Sequence, residues 1–154
     1  MTARSPKTAL FPGSFNPFTL GHLDIVERAL RIFDRVIVAV GCNIGKAEPS
    51  ENIGCRLEAI RRATADLGGV EVISYSGMTS DLVREVGAAA IIRGVRTMAD
   101  YEYERQMADV NLSLEGVDTV AFFADPELSL ISSSLIRELA HYGRDISHFL
   151  PESE

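Results

Sequence analysis

The chain has no tryptophan, two cysteines and three histidines in 154 residues. Each scarcity narrows what it can be. Cys42 and Cys55 have no CxxC spacing, which excludes a zinc ribbon or a disulfide framework and leaves reduced thiols as the expectation. No apolar run approaches the ~20 residues of a membrane span, and the opening MTARSPK is polar, without an apolar leader core. A cytoplasmic protein without membrane contact is therefore expected. Positive charge is short too: 15 Lys and Arg against 22 Asp and Glu give a net charge of -7. A nucleic-acid backbone recruits many cations, so it is excluded as a partner, and any anionic ligand must be met by local positive groups. The common phosphate loops are missing as well. G-x-G-x-x-G is absent, and GCNIGKA (Gly41 to Ala47) has three residues between its glycines and ends in Ala, which is not a Walker sequence.

Short β-rich runs alternate with helical stretches. TALF (Thr8 to Phe11), RVIVAV (Arg35 to Val40), VEVISY (Val70 to Tyr75), AAIIR (Ala89 to Arg93) and TVAFFA (Thr119 to Ala124) read as strands, apolar on both faces. Strands of a parallel sheet covered on both sides look this way. Between them Leu23, Val26, Leu30 and Phe33 mark one helical stripe, and helical periodicity recurs over Arg56 to Leu67, Thr79 to Val86, Tyr101 to Leu114 and Ser134 to His141. The fold class is α/β: a Rossmann-like, doubly wound sheet of five parallel strands with right-handed crossovers. No repeat or linker divides the chain, so residues 1–154 form one domain, with PESE as a frayed tail.

Ligands of such sheets sit beyond the carboxyl ends of the strands, which draws attention to FPGSFNPFTLGH (Phe11 to His22) after the first strand. Gly13 permits a sharp turn and close ligand approach, while Pro12 and Pro17 stiffen the path. A helix starting around Thr19 to Gly21 turns its unpaired N–H groups toward the crevice, where an anion is welcome. His22 follows Thr19 by three residues, so both side chains can point toward one site; taken singly, Thr19 is an N-cap and His22 a surface residue. Arg93 and Arg96 leave the end of another strand. Guanidinium forks match phosphate, although the same two arginines can instead bridge to the acids of DYEYE. Ser132 to Ser134 stand at a helix start, as caps or as phosphate donors. No Ser/His/Asp pattern activates Ser14 as a nucleophile, and no carboxylate cluster is built to cage a metal.

TLGH after PGSFNP resembles the T/H-x-G-H motif of the nucleotidylyltransferase superfamily. IIRGVRTMADYEYERQMADVN (Ile91 to Asn111), ISSSLIR (Ile131 to Arg137) and HFLP sharpen the likeness into one with the bacterial phosphopantetheine adenylyltransferases, over almost the whole chain. The resemblance implies a nucleotidylyltransferase-type sheet and transfer of the adenylyl group of ATP to 4′-phosphopantetheine, giving dephospho-coenzyme A and pyrophosphate. By the same resemblance the catalytic residues are His22, Lys46 and Arg93. ATP contacts fall on Ser14, Phe15, His22, Gly94, Val95, Arg96, Glu104 and the run Leu128, Ser129, Leu130, Ile131, Ser132, Ser133 and Ser134; acceptor contacts fall on Ser14, Lys46, Thr79 and Arg93. Mg²⁺ is implied with ATP, together with a homohexamer and feedback binding of coenzyme A. Two features depart from the family's pattern. Lys46 is followed by Ala47 and Glu48 where a second basic residue is usual, and Leu128 stands where some relatives have tryptophan. The rival readings are another phosphorylated acceptor, such as nicotinamide mononucleotide or a glycerol or ethanolamine phosphate, CTP as donor, or a nucleotide sensor without turnover.

Overall fold

A computed structural model of the chain describes residues 3–42 and 51–152. Lys46 and the last two residues of the PESE tail lie outside the described residues. Five strands and five helices alternate: β1 (Thr8–Gly13), α1 (Leu20–Ala29), β2 (Arg35–Gly41), α2 (Glu51–Ala63), β3 (Val70–Tyr75), α3 (Thr79–Val86), β4 (Ala90–Val95), α4 (Met98–Glu115), β5 (Asp118–Phe123) and α5 (Ser133–His141). All strand pairs are parallel, in the order β3-β2-β1-β4-β5. The winding reverses between β1 and β4, as a doubly wound sheet requires.

The register shows how the crevice opens. β1 stays paired with β2 as far as Gly13↔Val40, but its pairing with β4 ends at Leu10↔Ile91. Beyond that point β1 and β4 part, and their carboxyl ends form the two lips of a cleft. Pro12 sits inside β1, although the turn was expected to begin there. Its carbonyl faces β4, where it accepts a hydrogen bond from Arg93; in an extended strand the nitrogen of the same residue faces the same way. The missing N–H therefore takes nothing from the ladder to β2.

Alternate residues of the central strands feed two cores. On one face Ala9, Phe11, Val38 and Ile92 pack with Ile25, Val26 and Ala29 of α1 and Ile60 of α2. On the other, Leu10, Ile37, Ala39 and Ile91 pack with Leu82 and Val83 of α3. The expectation of strands buried on both faces holds for β1, β2 and most of β4 but fails for the edges. Only Val72 of β3 and Phe122 of β5 are buried, because an edge strand is covered by helices over part of its width. Helix limits also differ from periodicity. α2 begins at Glu51 and stops at Ala63, short of Leu67, and α4 begins at Met98, capped by Thr97. α1 ends at Ala29, yet Phe33 beyond it still reaches the core, its N–H returning to the Ala29 carbonyl at 2.8 Å.

Candidate active site

The cleft between the ends of β1 and β4 widens into a cavity of about 390 Å³. The β1–α1 loop, the first turn of α1, the end of β4, one side of α4 and the start of α5 all face it. His22 is its most perturbed group. Thr19 caps α1, and the cap is reciprocal: the His22 N–H donates to Thr19 Oγ1 at 3.3 Å, and the Thr19 N–H donates to His22 Nδ1 at 3.0 Å. Histidine thus takes the place usually held by Glu or Gln in a capping box. A backbone N–H can only donate, so Nδ1 must accept, and the ring proton of the neutral imidazole resides on Nε2.

Three phenylalanines enclose the same ring. Phe18 stacks on it at 5.5 Å between centroids, while Phe15 and Phe11 meet it edge-on at 5.0 and 6.2 Å. This burial, with the nearby Arg93 and Arg96 guanidinium groups, lowers the His22 pKa from 6.5 to about 3. His22 is therefore a neutral hydrogen-bond donor at physiological pH. The aromatic cluster also explains Gly13. A Cβ there would lie 3.0 Å from the tip of the Phe15 ring, so the glycine makes room for a side chain of its own loop. Phe15 itself adopts a positive φ of 46° to turn inward. Gly94 is similar: Ile25 fills the space beside it.

Both arginines at the end of β4 are held by acids of α4. Arg93 grips Glu104 with two hydrogen bonds, Nε at 2.8 Å and a terminal nitrogen at 2.7 Å, and reaches across the cleft to the Pro12 carbonyl. Arg96 pairs with Asp100 at 3.2 Å and donates to the Ile131 carbonyl. The bridging role foreseen for these arginines is realised, and both still line the cavity. A fixed guanidinium with donors to spare is better organised for phosphate than a mobile one.

At α5 the three serines are engaged with protein. Ser132 accepts from the Leu135 N–H as N-cap, Ser133 donates to the Pro17 carbonyl at 2.9 Å, and Ser134 accepts from Arg137. Arg137 also donates to the Asn16 carbonyl at 2.6 Å. The reading of these hydroxyls as a row of phosphate donors is thus corrected: they anchor α5 to the β1–α1 loop. What α5 offers an anion is its amino end, whose backbone N–H groups face the cavity.

A second cavity of about 340 Å³ runs beside the first, between the sheet and α4. Gly13, Ser14, Arg93, Tyr103 and Glu104 line both. Thr79 faces the second cavity, its hydroxyl 3.1 Å from that of Tyr75. Arg56 of α2, buried at 6%, donates to the Ser14 carbonyl at 3.1 Å and braces the shared wall from behind.

Of the residues singled out from sequence, Ser14, Phe15, His22, Arg93, Gly94, Arg96, Glu104, Leu128, Ile131 and Ser132 to Ser134 meet around the first cavity, and Ser14, Thr79 and Arg93 around the second. Val95, Ser129 and Leu130 line neither; Val95 is buried in the sheet and Leu130 is 84% exposed. Lys46 lies outside the described residues. Tyr75, Tyr103, Asn111 and Arg137 enter the site without having been foreseen. Only Arg137 carried a signal, as the last residue of ISSSLIR. Among the described residues no group of three or more His, Cys, Asp or Glu is placed to hold a metal.

A parallel sheet reversing at β1 and β4, a capped helix aiming a neutral histidine into the cleft, and a second cavity sharing its wall define a nucleotidyltransferase of the Rossmann-like class. A family model for cytidylyltransferase-like proteins matches residues 10–139. Phosphopantetheine adenylyltransferase of Porphyromonas gingivalis is 55% identical over 94% of both chains, and that of Bacteroides thetaiotaomicron is 44% identical over 95% of this chain and 96% of its own. The chain belongs to the cytidylyltransferase-like family and, within it, to the phosphopantetheine adenylyltransferases. Solved structures share the fold at lower identity. A putative nicotinate-nucleotide adenylyltransferase from Vibrio parahaemolyticus superposes with a TM-score of 0.64 at 23% identity, covering 96% of this chain and 94% of its own. A bifunctional NMN adenylyltransferase/ADP ribose pyrophosphatase from Francisella tularensis gives 0.68 at 17% identity, and there the chain spans 97% of its own length but 46% of that protein.

Proposed function

We infer that the protein transfers the adenylyl group of ATP to 4′-phosphopantetheine, forming dephospho-coenzyme A and pyrophosphate. The observation that carries this reading is the shared wall: two cavities, one sized for a nucleotide and one for a second substrate, meet at Gly13, Ser14, Arg93 and Glu104. In-line attack by one phosphate on another needs its partners at such a junction. The nucleophile is the acceptor phosphate, already ionised at neutral pH, so no general base is required and no enzyme side chain is acylated or phosphorylated.

ATP occupies the first cavity, with adenine against Leu128 and Ile131 and the triphosphate between the amino ends of α1 and α5. His22 donates its Nε2 proton in a hydrogen bond to the α-phosphate, strengthening as charge builds there in the transition state. Arg93, held by Glu104, and Lys46 fix the attacking phosphate, and Arg96 with the α5 N–H groups receives the leaving pyrophosphate. Glu104 acts as the brace of Arg93. The carboxylates at the cavity wall, Asp24 and Asp100, are paired with Arg28 and Arg96, so Mg²⁺ is proposed as part of the substrate, carried by the triphosphate with several waters.

Three further calls belong to this proposal. The protein works in the cytoplasm; no helix among the described residues is long and apolar enough to cross a membrane. It assembles as a homohexamer, for which α4 supplies exposed apolar side chains, Met98, Tyr101, Val110, Leu112 and Leu114. Coenzyme A, which contains the acceptor's arm, competes at the second cavity.

Mixing the purified protein with MgATP and phosphopantetheine, and following product mass and pyrophosphate, tests the reaction. Acceptor-dependent dephospho-coenzyme A is expected. Preference for nicotinamide mononucleotide or another phosphorylated acceptor, or ATP binding without turnover, would replace this reading with one of its rivals.

A further inference from the structure

Tyr75 ends β3 at the mouth of the second cavity, and its surroundings do more than store an aromatic ring. The ring lies over Gly41, the last residue of β2; a Cβ on Gly41 would sit 3.6 Å from the phenol oxygen. That glycine leaves the ring flat against the backbone with its hydroxyl directed to Thr79 Oγ1, 3.1 Å away in the first turn of α3. Both side chains are half-buried and both line the cavity. Packing alone would be served as well by phenylalanine. A phenol placed at a cavity wall asks for hydrogen bonds.

Two hydroxyls in mutual contact use a single O–H between them. The other O–H and the remaining lone pairs stay available, so the pair can donate to a carbonyl and accept from an N–H at the same time. An amide is the group that presents both. The opposite wall is also polar within an apolar lining: Ile91 and Met107 flank Asn111, which is 7% exposed, and Thr119, whose Oγ1 is buried without a hydrogen-bond partner among the described residues. Polar points separated by aliphatic surface suit a chain in which amides alternate with short alkyl links.

Distance adds a length requirement. The acceptor phosphate belongs near Arg93 on β4, while Gly41 and Tyr75 are on β2 and β3. With strands about 4.8 Å apart, the hydroxyl pair stands two to three strand spacings away, roughly 10–14 Å. Only an acceptor with an extended arm engages both.

We propose that the Tyr75–Thr79 hydroxyl pair is a specificity determinant that reads an amide on the arm of the phosphorylated acceptor, with the Tyr75 hydroxyl as its variable element. The inference rests on the adenylyltransferase reading above and adds to it a residue that selects amide-bearing acceptors over nucleotides and simple alkyl phosphates.

Tyr75→Phe removes the hydroxyl and keeps the ring over Gly41. Its test is a ratio: kcat/KM for phosphopantetheine divided by kcat/KM for propyl phosphate, which carries the phosphate and no amide, in the wild type and in the variant. Loss of one neutral hydrogen bond to the arm lowers that ratio about tenfold, through KM for phosphopantetheine, with KM for ATP unmoved. Thr79→Val is measured alongside and lowers the ratio in the same direction, while Thr79→Ser retains it. An equal loss toward both acceptors, or none toward either, overturns the specificity role and leaves Tyr75 as a packing residue while the adenylyltransferase reading stands. A wild type that forms no adenylylated product from phosphopantetheine overturns that reading, and this inference with it.

Discussion

His22 shows how one side chain is prepared by the residues around it. Its tautomer comes from the Thr19 N–H, its neutrality from three phenylalanine rings and two guanidinium groups, and its direction from the first turn of α1. Replacing it by alanine should lower kcat by about 10²–10³, the cost of losing one preorganised donor to a developing oxyanion, with little change in ATP affinity by calorimetry. Unchanged turnover would remove His22 from the chemistry. Nitrogen NMR of the free protein should find the neutral Nε2–H form throughout pH 5 to 8; a titration near 6.5 would contradict the capping geometry. Stability follows the same shift. The folded pKa of about 3 lies below the ordinary 6.5, so between those values the unfolded chain binds a proton that the folded chain refuses. Stability therefore rises with pH from about 3 to 6.5 and is then independent of this group. Between pH 7.5 and 5 the wild type should lose more stability in urea melts than His22→Gln.

At the scale of elements, the site depends on helices pinned to a loop distant in sequence. The β1–α1 loop is held from α5 by Ser133 and Arg137 and from α2 by Arg56, all through its backbone carbonyls. Ser133→Ala frees one of these anchors without altering a charge, and should raise KM for ATP severalfold while costing about 1 kcal/mol of stability or less. An unaltered KM would show that Arg137 suffices. The helix caps were legible beforehand, since Thr19 stood where a cap belongs, and Gly87 and Gly116 end α3 and α4 with φ of 66° and 67°. The ends of α2 were not. Local periodicity cannot foretell which turn of a helix loses contact with the sheet.

For the molecule as a whole, the cleft is a consequence of strand order. β1 and β4 lie side by side because the winding reverses there, and Arg93 spans the gap that opens once their pairing ends. Glu104→Gln weakens the charge-assisted grip on Arg93 and should lower kcat/KM for the acceptor by about tenfold, whereas an effect confined to ATP would place Glu104 on the nucleotide instead. The apolar side chains of α4 point to a larger assembly. Leu112 is 48% exposed, so Leu112→Glu is tolerated by the fold and should shift sedimentation from a hexamer toward smaller species; a wild type that sediments as a monomer would refute the assembly.

The sequence alone settled the alternation of strands and helices, the loop that mattered and the identity of most cavity residues, because hydrophobic period, caps and the T-x-G-H stretch are encoded within a few neighbouring positions. Tertiary structure decided what each residue does. Gly13 yields to Phe15, Arg93 is braced by Glu104, the serines of α5 anchor a loop more than a hundred residues away in sequence, and Tyr75 meets a cavity whose far wall is α4. These pairings join segments that no local pattern connects. They follow from the order in which strands assemble and from the volume that buried side chains must fill.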